Sequence, residues 1–375
     1  MFAKNMKRIL LILSTLLLSA CNFTDTLECI PSETITHETE SDGESADGEL
    51  TVQFIDVGQG DCTLLVSAGH AMLIDCGDSN QGTKIQNYLI KQGIKKLDYL
   101  ILTHPDADHI GGAPVIITKF DIEQVYMSDY EKQTKTYEKV IDALEYKRLG
   151  WETPTVGDSM VFGDTKITFL APSKQYDDPN NASIAFIVSN GENSFLFSGD
   201  AETEAEADIL NTGYEIKADV YHVGHHGSRT SSSENFLETM NPSYAVISCG
   251  EDNDYGHPHS ETLNHLRERD IKVFRTDEQG TTIASSDGKN ITWSCSPSDS
   301  WKSGEQKGSL TVDTTKTENA HNEDVTYILN QNSKKFHNPN CESVQKMSSS
   351  NKVKTNISRD EILRLGYSPC KICNP

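Results

Sequence analysis

From about Glu49 to Cys295 the sequence predicts an α/β sandwich, two sheets packed face to face with helices on the outside. Three observations predict it. Runs rich in β-branched and aromatic residues alternate with segments of helical spacing. Some of those runs, such as Leu97-Asp98-Tyr99-Leu100-Ile101-Leu102, are apolar enough to be buried strands. Strand after strand also ends in a loop carrying His or Asp, at 104–109, 200, 225–226 and 257. Two half-sheets with flanking helices would bring those ends to one edge, a helix–sheet–sheet–helix order with a cleft between the sheets.

Taken in order, Leu50 to Val57 alternates like a strand, Gly58-Gln59-Gly60-Asp61 is a turn, and Cys62 to Val66 is the return strand. A third strand runs from Ala71 to Gly77. Residues 84–92 have helical spacing, with Ile85, Leu89 and Ile90 on one side. After the strand at 97–102 a short helix is expected beyond Gly112, then a strand at 124–127 and a helix at 137–148. Strands at 159–162 and 166–170 follow. A hairpin at 183–188 and 194–197 turns at Asn190-Gly191 and runs into Ser198-Gly199-Asp200. A helix at 202–210, a strand at 219–223, a helix at 234–240, a strand at 244–248, a helix at 261–269, a strand at 272–274 and a hairpin around Asp287-Gly288 complete the domain.

Thr103-His104-Pro105-Asp106-Ala107-Asp108-His109-Ile110-Gly111-Gly112 follows the apolar strand at 97–102. Two imidazoles and two carboxylates on one loop are a donor set for zinc, manganese or iron, and the alternative is a polar, solvated turn. The Gly-Gly pair is expected to let the backbone turn sharply. Asp56 and Asp61 either line the mouth of the cleft or form the turn. Asp75 is expected to fix the loop by hydrogen bonds. His70, His222, His259 and His265 are expected to be structural or exposed.

These residues carry a resemblance. His104-Pro-Asp106-Ala-Asp108-His109, then Ser198-Gly199-Asp200, then a later His, resembles the metallo-β-lactamase superfamily. Phe54-Ile-Asp-Val-Gly-Gln-Gly-Asp61, the run 103–112, Gly224-His-His-Gly-Ser-Arg-Thr230 and Tyr255-Gly-His-Pro258 resemble, in order, the soluble hydrolase domain of ComEC-type competence proteins of DNA uptake. The likeness spans about residues 50–295, so a stand-alone relative of that domain is expected. It implies an αββα metallo-β-lactamase sandwich and two divalent metal ions, zinc or manganese. His104 and Asp106 would hold one ion, Asp108 and His109 the other, with Asp200 bridging. His225 would complete the set, with His257 as the alternative and His226 behind the ligands. Asp106 stands where the superfamily's usual loop has His, which makes that site richer in oxygen. The superfamily's middle His, expected before Asp200, is absent, and Asn180 or Asn181 would take its place. Asp108 and His226 would handle protons. Ser228, Arg229 and Asn181 would contact substrate, although the run Ser228–Ser233 also reads as a plain loop or helix cap.

The chain ends read differently. Lys4, Lys7 and Arg8 precede the apolar run 9–18, and Leu18-Ser19-Ala20-Cys21 resembles a bacterial lipobox. Residues 1–21 are therefore expected to be a lipoprotein signal with Cys21 lipidated, placing the protein outside the cell and anchored to the membrane's outer face; the alternative is plain secretion. Residues 22–48 are polar and acidic and are expected to be a disordered tether. Residues 296–323 read as a linker. In residues 324–375, His337, Cys341, Cys370 and Cys373 form a His-x3-Cys plus Cys-x2-Cys set suited to one structural zinc; a Cys370–Cys373 disulfide is the alternative. The segment resembles the small zinc-binding module of Ada-type DNA-repair proteins, with His337 where that family has Cys.

The nine cysteines form no evident disulfide framework. The formal net charge of −23 gives no general nucleic-acid-binding signature, although bound metal ions attract phosphate locally. The expected function is a metal-dependent hydrolase, a phosphodiesterase or nuclease acting on DNA. The alternatives are a hydrolase of a small ester, lactam or phosphorylated metabolite, and a non-catalytic DNA-capture lipoprotein.

Overall fold

The computed structural model describes residues 48–305 and, in a separate unit, 327–330, 333–348, 351–355, 359, 362 and 367–373. The expected signal segment with Cys21, the tether up to residue 47 and residues 306–323 of the expected linker lie outside the described residues. Among the described residues no helix is long and apolar enough to cross a membrane.

The chain builds one sheet, moves to a second and returns to the first. β1 (Leu50–Phe54), β2 (Thr63–Ser67) and β3 (His70–Ile74) form an antiparallel meander; β4 (Lys96–Leu102) and β5 (Asp121–Met127) add in parallel. The second sheet takes β6 (Ser159–Phe162), β7 (Thr165–Ala171), β8 (Ala185–Asn190) and β9 (Asn193–Phe197) as antiparallel neighbours. It then continues in parallel through β10 (Val220–His222), β11 (Tyr244–Ile247) and β12 (Lys272–Arg275). The hairpin β13 (Thr282–Ser286) and β14 (Ile291–Trp293) returns to pair with β1.

Strand alternation explains the layers. In β4, Leu100 and Leu102 face outward into a core with Ile85, Leu89, Ile116, Ile117, Val140 and Leu144. Those residues come from α1 (Gly82–Lys91), α3 (Ala113–Lys119) and α4 (Lys135–Lys147). Tyr99 and Ile101 face the opposite way, into an inter-sheet core that includes Phe54, Phe162, Phe169, Phe186, Phe197 and Phe274. Both faces of β4 are covered, so its sequence does not alternate between apolar and polar. Each fully buried Phe contributes about 1.5–3 kcal/mol of transfer free energy. The outer face of the second sheet packs on α5 (Thr203–Asn211), α6 (Glu234–Met240) and α7 (Ser260–Glu268). The order is helix, sheet, sheet, helix.

Two expectations change. Gly111 and Gly112 have ordinary right-handed helical angles, so the turn they form makes no use of glycine's conformational freedom. They are small because space is short: a Cβ on Gly111 would lie 2.3 Å from the Ser79 nitrogen, and one on Gly112 would lie 2.2 Å from the Cys76 carbonyl oxygen. The Ser-rich segment 296–305 is part of the first unit. Ser298 N donates to Val273 O at 2.7 Å, Gly304 N donates to Pro258 O at 3.0 Å, and Trp301 packs on the outer core of the second sheet. These backbone bonds are long-range, so composition alone reads the stretch as linker.

The second unit is a four-stranded sheet in the order β17 (Lys352–Thr355), β15 (Tyr327–Asn330), β16 (Lys335–His337), β18 (Ser368–Pro369). Leu329, Phe336 and Ile362 form one small core; Cys341, Val344, Met347 and Cys370 form another around the helical turn α8 (Glu342–Gln345).

Candidate metal centre

The carboxyl ends of the parallel strands in both sheets deliver the polar groups. β4 leads to Thr103 and His104, and the helical turn α2 (Ala107–Ile110) carries Asp108 and His109. From the second sheet, β9 leads to Asp200, and β10 leads to His225 and His226. The loop after β1 adds Asp61. Its nitrogen donates to Asp108 O at 3.1 Å and its carbonyl accepts from Gly77 N at 2.8 Å. At Gly60 (φ +128°) a Cβ would lie 2.2 Å from Asp108 O, so the close approach that presses Asp61 into the cleft requires glycine.

Asp200 stands at the middle. Its Oδ1 is 3.2 Å from His109 Nε2; its Oδ2 is 3.6 Å from His226 Nε2, 3.7 Å from His225 Nε2 and 3.8 Å from His104 Nε2. His226 Nε2 is 3.2 Å from His109 Nε2 and 3.3 Å from Asp108 Oδ2. Donor atoms of Asp61, His109, Asp200 and His226 all lie within 4.8 Å of one another.

The tautomers are set from behind. Asp75 is fully buried and accepts from Thr103 N at 2.8 Å, Thr103 Oγ1 at 2.7 Å and His109 Nδ1 at 2.8 Å. His226 Nδ1 donates to Ser248 O at 3.0 Å. Both histidines therefore present Nε2 to the cleft.

The electrostatics follow from burial and close pairing. Burial opposes charge on Asp200, yet the fields of His109, His226 and His225 hold its carboxyl well below the usual range. Burial also disfavours the charged form of His109, but Asp200 and Asp75 raise it well above an ordinary imidazole. His104 is pushed down to about 4 by burial and by His109. Asp108 is lowered: the bond from His226 and the field of His109 outweigh its burial.

These residues fit a divalent cation. His104 Nε2 is buried without a hydrogen-bond partner, and the buried Oδ1 atoms of Asp61 and Asp200 have only imidazole neighbours, His226 Nδ1 at 3.3 Å and His109 Nε2 at 3.2 Å, a costly state unless something else occupies their lone pairs. Two imidazole Nε2 atoms facing each other at 3.2 Å also call for a cation or a shared proton between them. Nitrogen and carboxylate oxygen together suit zinc or manganese.

The expected residues divide. His104, Asp108, His109 and Asp200 come together at the cleft. His226, expected behind the ligands, is at the centre, whereas His225 turns its Nδ1 to Glu202, 3.3 Å away, and Thr230. Both lie in the left-handed region (φ +50° and +54°), so strand alternation does not carry through to them. Asp106 lines the cleft but is ion-paired to Lys132. The His257 ring lies 6.0 Å from that of His226, outside the converging set. Asn180 lines the cleft. Asn181 instead accepts from Glu202 N and Ala205 N at the start of α5. Ser228 is buried against Thr230, and Arg229 is tied to Glu305 and Glu261. None of these three lines the cleft, which has a volume of about 70 Å³. Asp61 is the member that sequence reasoning left between cleft lining and turn; its signal was the tight Gly-Gln-Gly before it.

In the second unit, His337, Cys341, Cys370 and Cys373 bring their donor atoms within 4.8 Å of one another. Cys341 Sγ and Cys370 Sγ are 4.0 Å apart, near the ~3.8 Å that zinc–sulfur bonds of ~2.3 Å set along a tetrahedral edge. Both His337 ring nitrogens are buried without a partner. Burial raises the Cys370 thiol, but the N–H groups of Ile372 and Cys373 outweigh it and bring it to about 7. The set fits a closed zinc site.

A two-sheet α/β sandwich with a His/Asp cluster on the rim between its sheets defines the class of metallo-hydrolase folds. The sequence pattern of the Metallo-beta-lactamase superfamily matches residues 55–251, and the chain belongs to that superfamily. It is 36% identical over 259 residues to ComE operon protein 3 of Bacillus subtilis (strain 168), covering 63% of this chain and 33% of that protein. It is 33% identical over 238 residues to Competence protein ComA of Neisseria gonorrhoeae, covering 62% of this chain and 32% of that protein. The chain thus spans about a third of the length of these curated relatives. Among solved structures, the metallo-beta-lactamase fold protein YhfI from Bacillus subtilis aligns with a TM-score of 0.43 at 14% identity, over 64% of this chain and 99% of that one.

Proposed function

We propose that the domain is a metal-dependent phosphodiesterase acting on nucleic acid, most directly DNA. The observation that carries the hydrolase reading is the buried cluster of nitrogen and carboxylate donor atoms on Asp61, His109, Asp200 and His226, with His104 Nε2 unbonded beside it. The likeness to proteins named for competence, and the motif resemblance to DNA-uptake proteins, favour nucleic acid as the substrate.

His109, His226, Asp200 and Asp61 would hold one divalent ion, and His104, His225 and Asp200 a second. Such ions supply Lewis acidity and a water deprotonated near neutral pH. The protein's own groups do the rest. Asp75 keeps the His109 proton on Nδ1. Asp108, about a quarter exposed on the cleft side, takes a proton at Oδ2 from the attacking water and returns it to the leaving oxygen. Lys132 neutralises Asp106, so an entering phosphate meets one fewer negative charge at the mouth of the cleft. The small cleft suits a phosphate-sized head group better than a bulky ring.

Secretion with lipidation at Cys21 belongs to the same reading, as does structural zinc in the second unit. Metabolic labelling with a radioactive fatty acid tests the anchor: Cys21→Ser should abolish the label, and an unlabelled wild-type protein would remove the anchor from the proposal. Function is tested by incubating protein lacking residues 1–21 with single- and double-stranded DNA and Mn²⁺, Mg²⁺ or Zn²⁺, beside Asp200→Ala. Metal-dependent cleavage lost in the variant supports the proposal. Metal bound without cleavage of either DNA overturns it and moves the weight to a small ester, lactam or phosphorylated metabolite. DNA affinity that persists without metal or cleavage points to capture.

A further inference from the structure

We infer that Tyr255, backed by His257, is a stacking platform for a nucleobase next to the scissile phosphate. This rests on the phosphodiester reading above and adds where the substrate's planar part sits. Tyr255 lines the metal cleft and is 64% exposed, so it fills no core. Its inner face is supported: the His257 ring lies 5.7 Å away at 20°, and His257, only 5% exposed, lies 6.0 Å from His226 at 34°. Tyr255 is thus stacked with His257, whose ring is in turn tilted by 34° to that of His226 in the metal-ligand set.

The loop that presents Tyr255 is braced by one side chain. Asn253 Oδ1 accepts from Tyr255 N at 3.1 Å and His257 N at 3.0 Å, while its Nδ2 donates to His257 O at 2.6 Å and Gly250 O at 2.9 Å. Gly304 closes against the same loop, where a Cβ would lie 2.2 Å from His257 O. An exposed ring stacked with His257, on a backbone held by Asn253 at the edge of a phosphate-sized cleft, matches a base attached to the diester in the cleft. Stacking of this kind tolerates any base.

Two measurements decide it. The first is kcat/KM for a short single-stranded oligonucleotide divided by that for the same backbone with abasic residues. Tyr255→Ala should lower this ratio about tenfold, chiefly through KM, the size expected of one base–aromatic stack, and Tyr255→Phe should restore it. An unchanged ratio in Tyr255→Ala overturns the inference, and loss in Tyr255→Phe assigns the effect to the hydroxyl instead. The second uses Tyr255→Trp in the intact protein: its added fluorescence should be quenched by thymidine oligonucleotide and not by the abasic oligomer. Equal or absent quenching overturns the platform. This readout needs no turnover, so a wild-type protein that cleaves no diester would sink the proposed function while the stacking result still stands or falls by itself.

Discussion

Replacing Asp75 by Asn isolates what holds the metal-ligand loop in its working tautomer. Asp75 is fully buried at φ +55°, a left-handed conformation that Asn adopts readily, so the exchange keeps size and backbone. It changes the donor pattern. One amide oxygen can still accept from Thr103 N, 2.8 Å away. The amide nitrogen then faces Thr103 Oγ1 and His109 Nδ1, which in the wild type donate over 2.7 and 2.8 Å. The hydroxyl can rotate to accept. The imidazole can accept only by moving its proton to Nε2, the atom 3.2 Å from Asp200, and a protonated Nε2 is no ligand. Loss of such an outer partner weakens metal binding about 10–100-fold, or about 1.4–2.8 kcal/mol. The metal-free fold should also lose about 1–3 kcal/mol as charge-assisted bonds become neutral or vanish. Chelator competition for Mn²⁺ or Zn²⁺ measures the first quantity, and urea unfolding in EDTA the second. A folded Asp75→Asn protein that binds metal within twofold of the wild type would refute the tautomer argument.

Three further outcomes are expected. In metal-free protein His109 has a raised pKa, so its contribution to stability is complete below the unfolded value of about 6.5 and is lost as pH rises through the folded value. Asp200 and Asp108 have lowered values, and their contribution is present above about 4 and lost as pH falls through the folded values. The urea midpoint in EDTA should therefore peak between these limits, whereas metal affinity should rise with pH as binding expels the histidine proton; calorimetry in buffers of differing ionisation enthalpy counts the protons. Gly112→Ala should cost about 1–3 kcal/mol, because its Cβ would lie 2.2 Å from Cys76 O; a wild-type urea midpoint would contradict the close-packing reason given for this glycine. Cys370→Ser should lower zinc content by one ion per chain, measured with a colorimetric chelator after denaturation, and an unchanged zinc count would exclude the Cys/His site.

The layers were legible because their cause is local. β4 is apolar on both sides because both its faces are covered, and the strand-end residues His104, His109 and Asp200 lie where the pattern of the strands puts them. The remainder depends on contacts between distant segments. Nothing near Asp61 in the chain says that Gly60 rests on the backbone of Asp108, 48 residues on. The position of His226 at the centre, beside His225 and not behind it, depends on two consecutive left-handed residues, a strained arrangement held by the surrounding fold and invisible to strand alternation. Ser228 and Arg229 are hydroxyl and guanidinium groups beside the histidines in sequence, yet their partners Thr230, Glu261 and Glu305 draw them away from the cleft.

The return of the chain from the second sheet to the first has a consequence for assembly. A cut in the segment between α4 and β6 would leave Asp61, His104, Asp106, Asp108 and His109 on one fragment and Asp200, His225, His226 and His257 on the other. Neither piece would carry a full coordination shell. A cation that needs both would rivet the halves together, so complementation of the two fragments should depend on metal concentration in the way ligand binding to the native state alone requires.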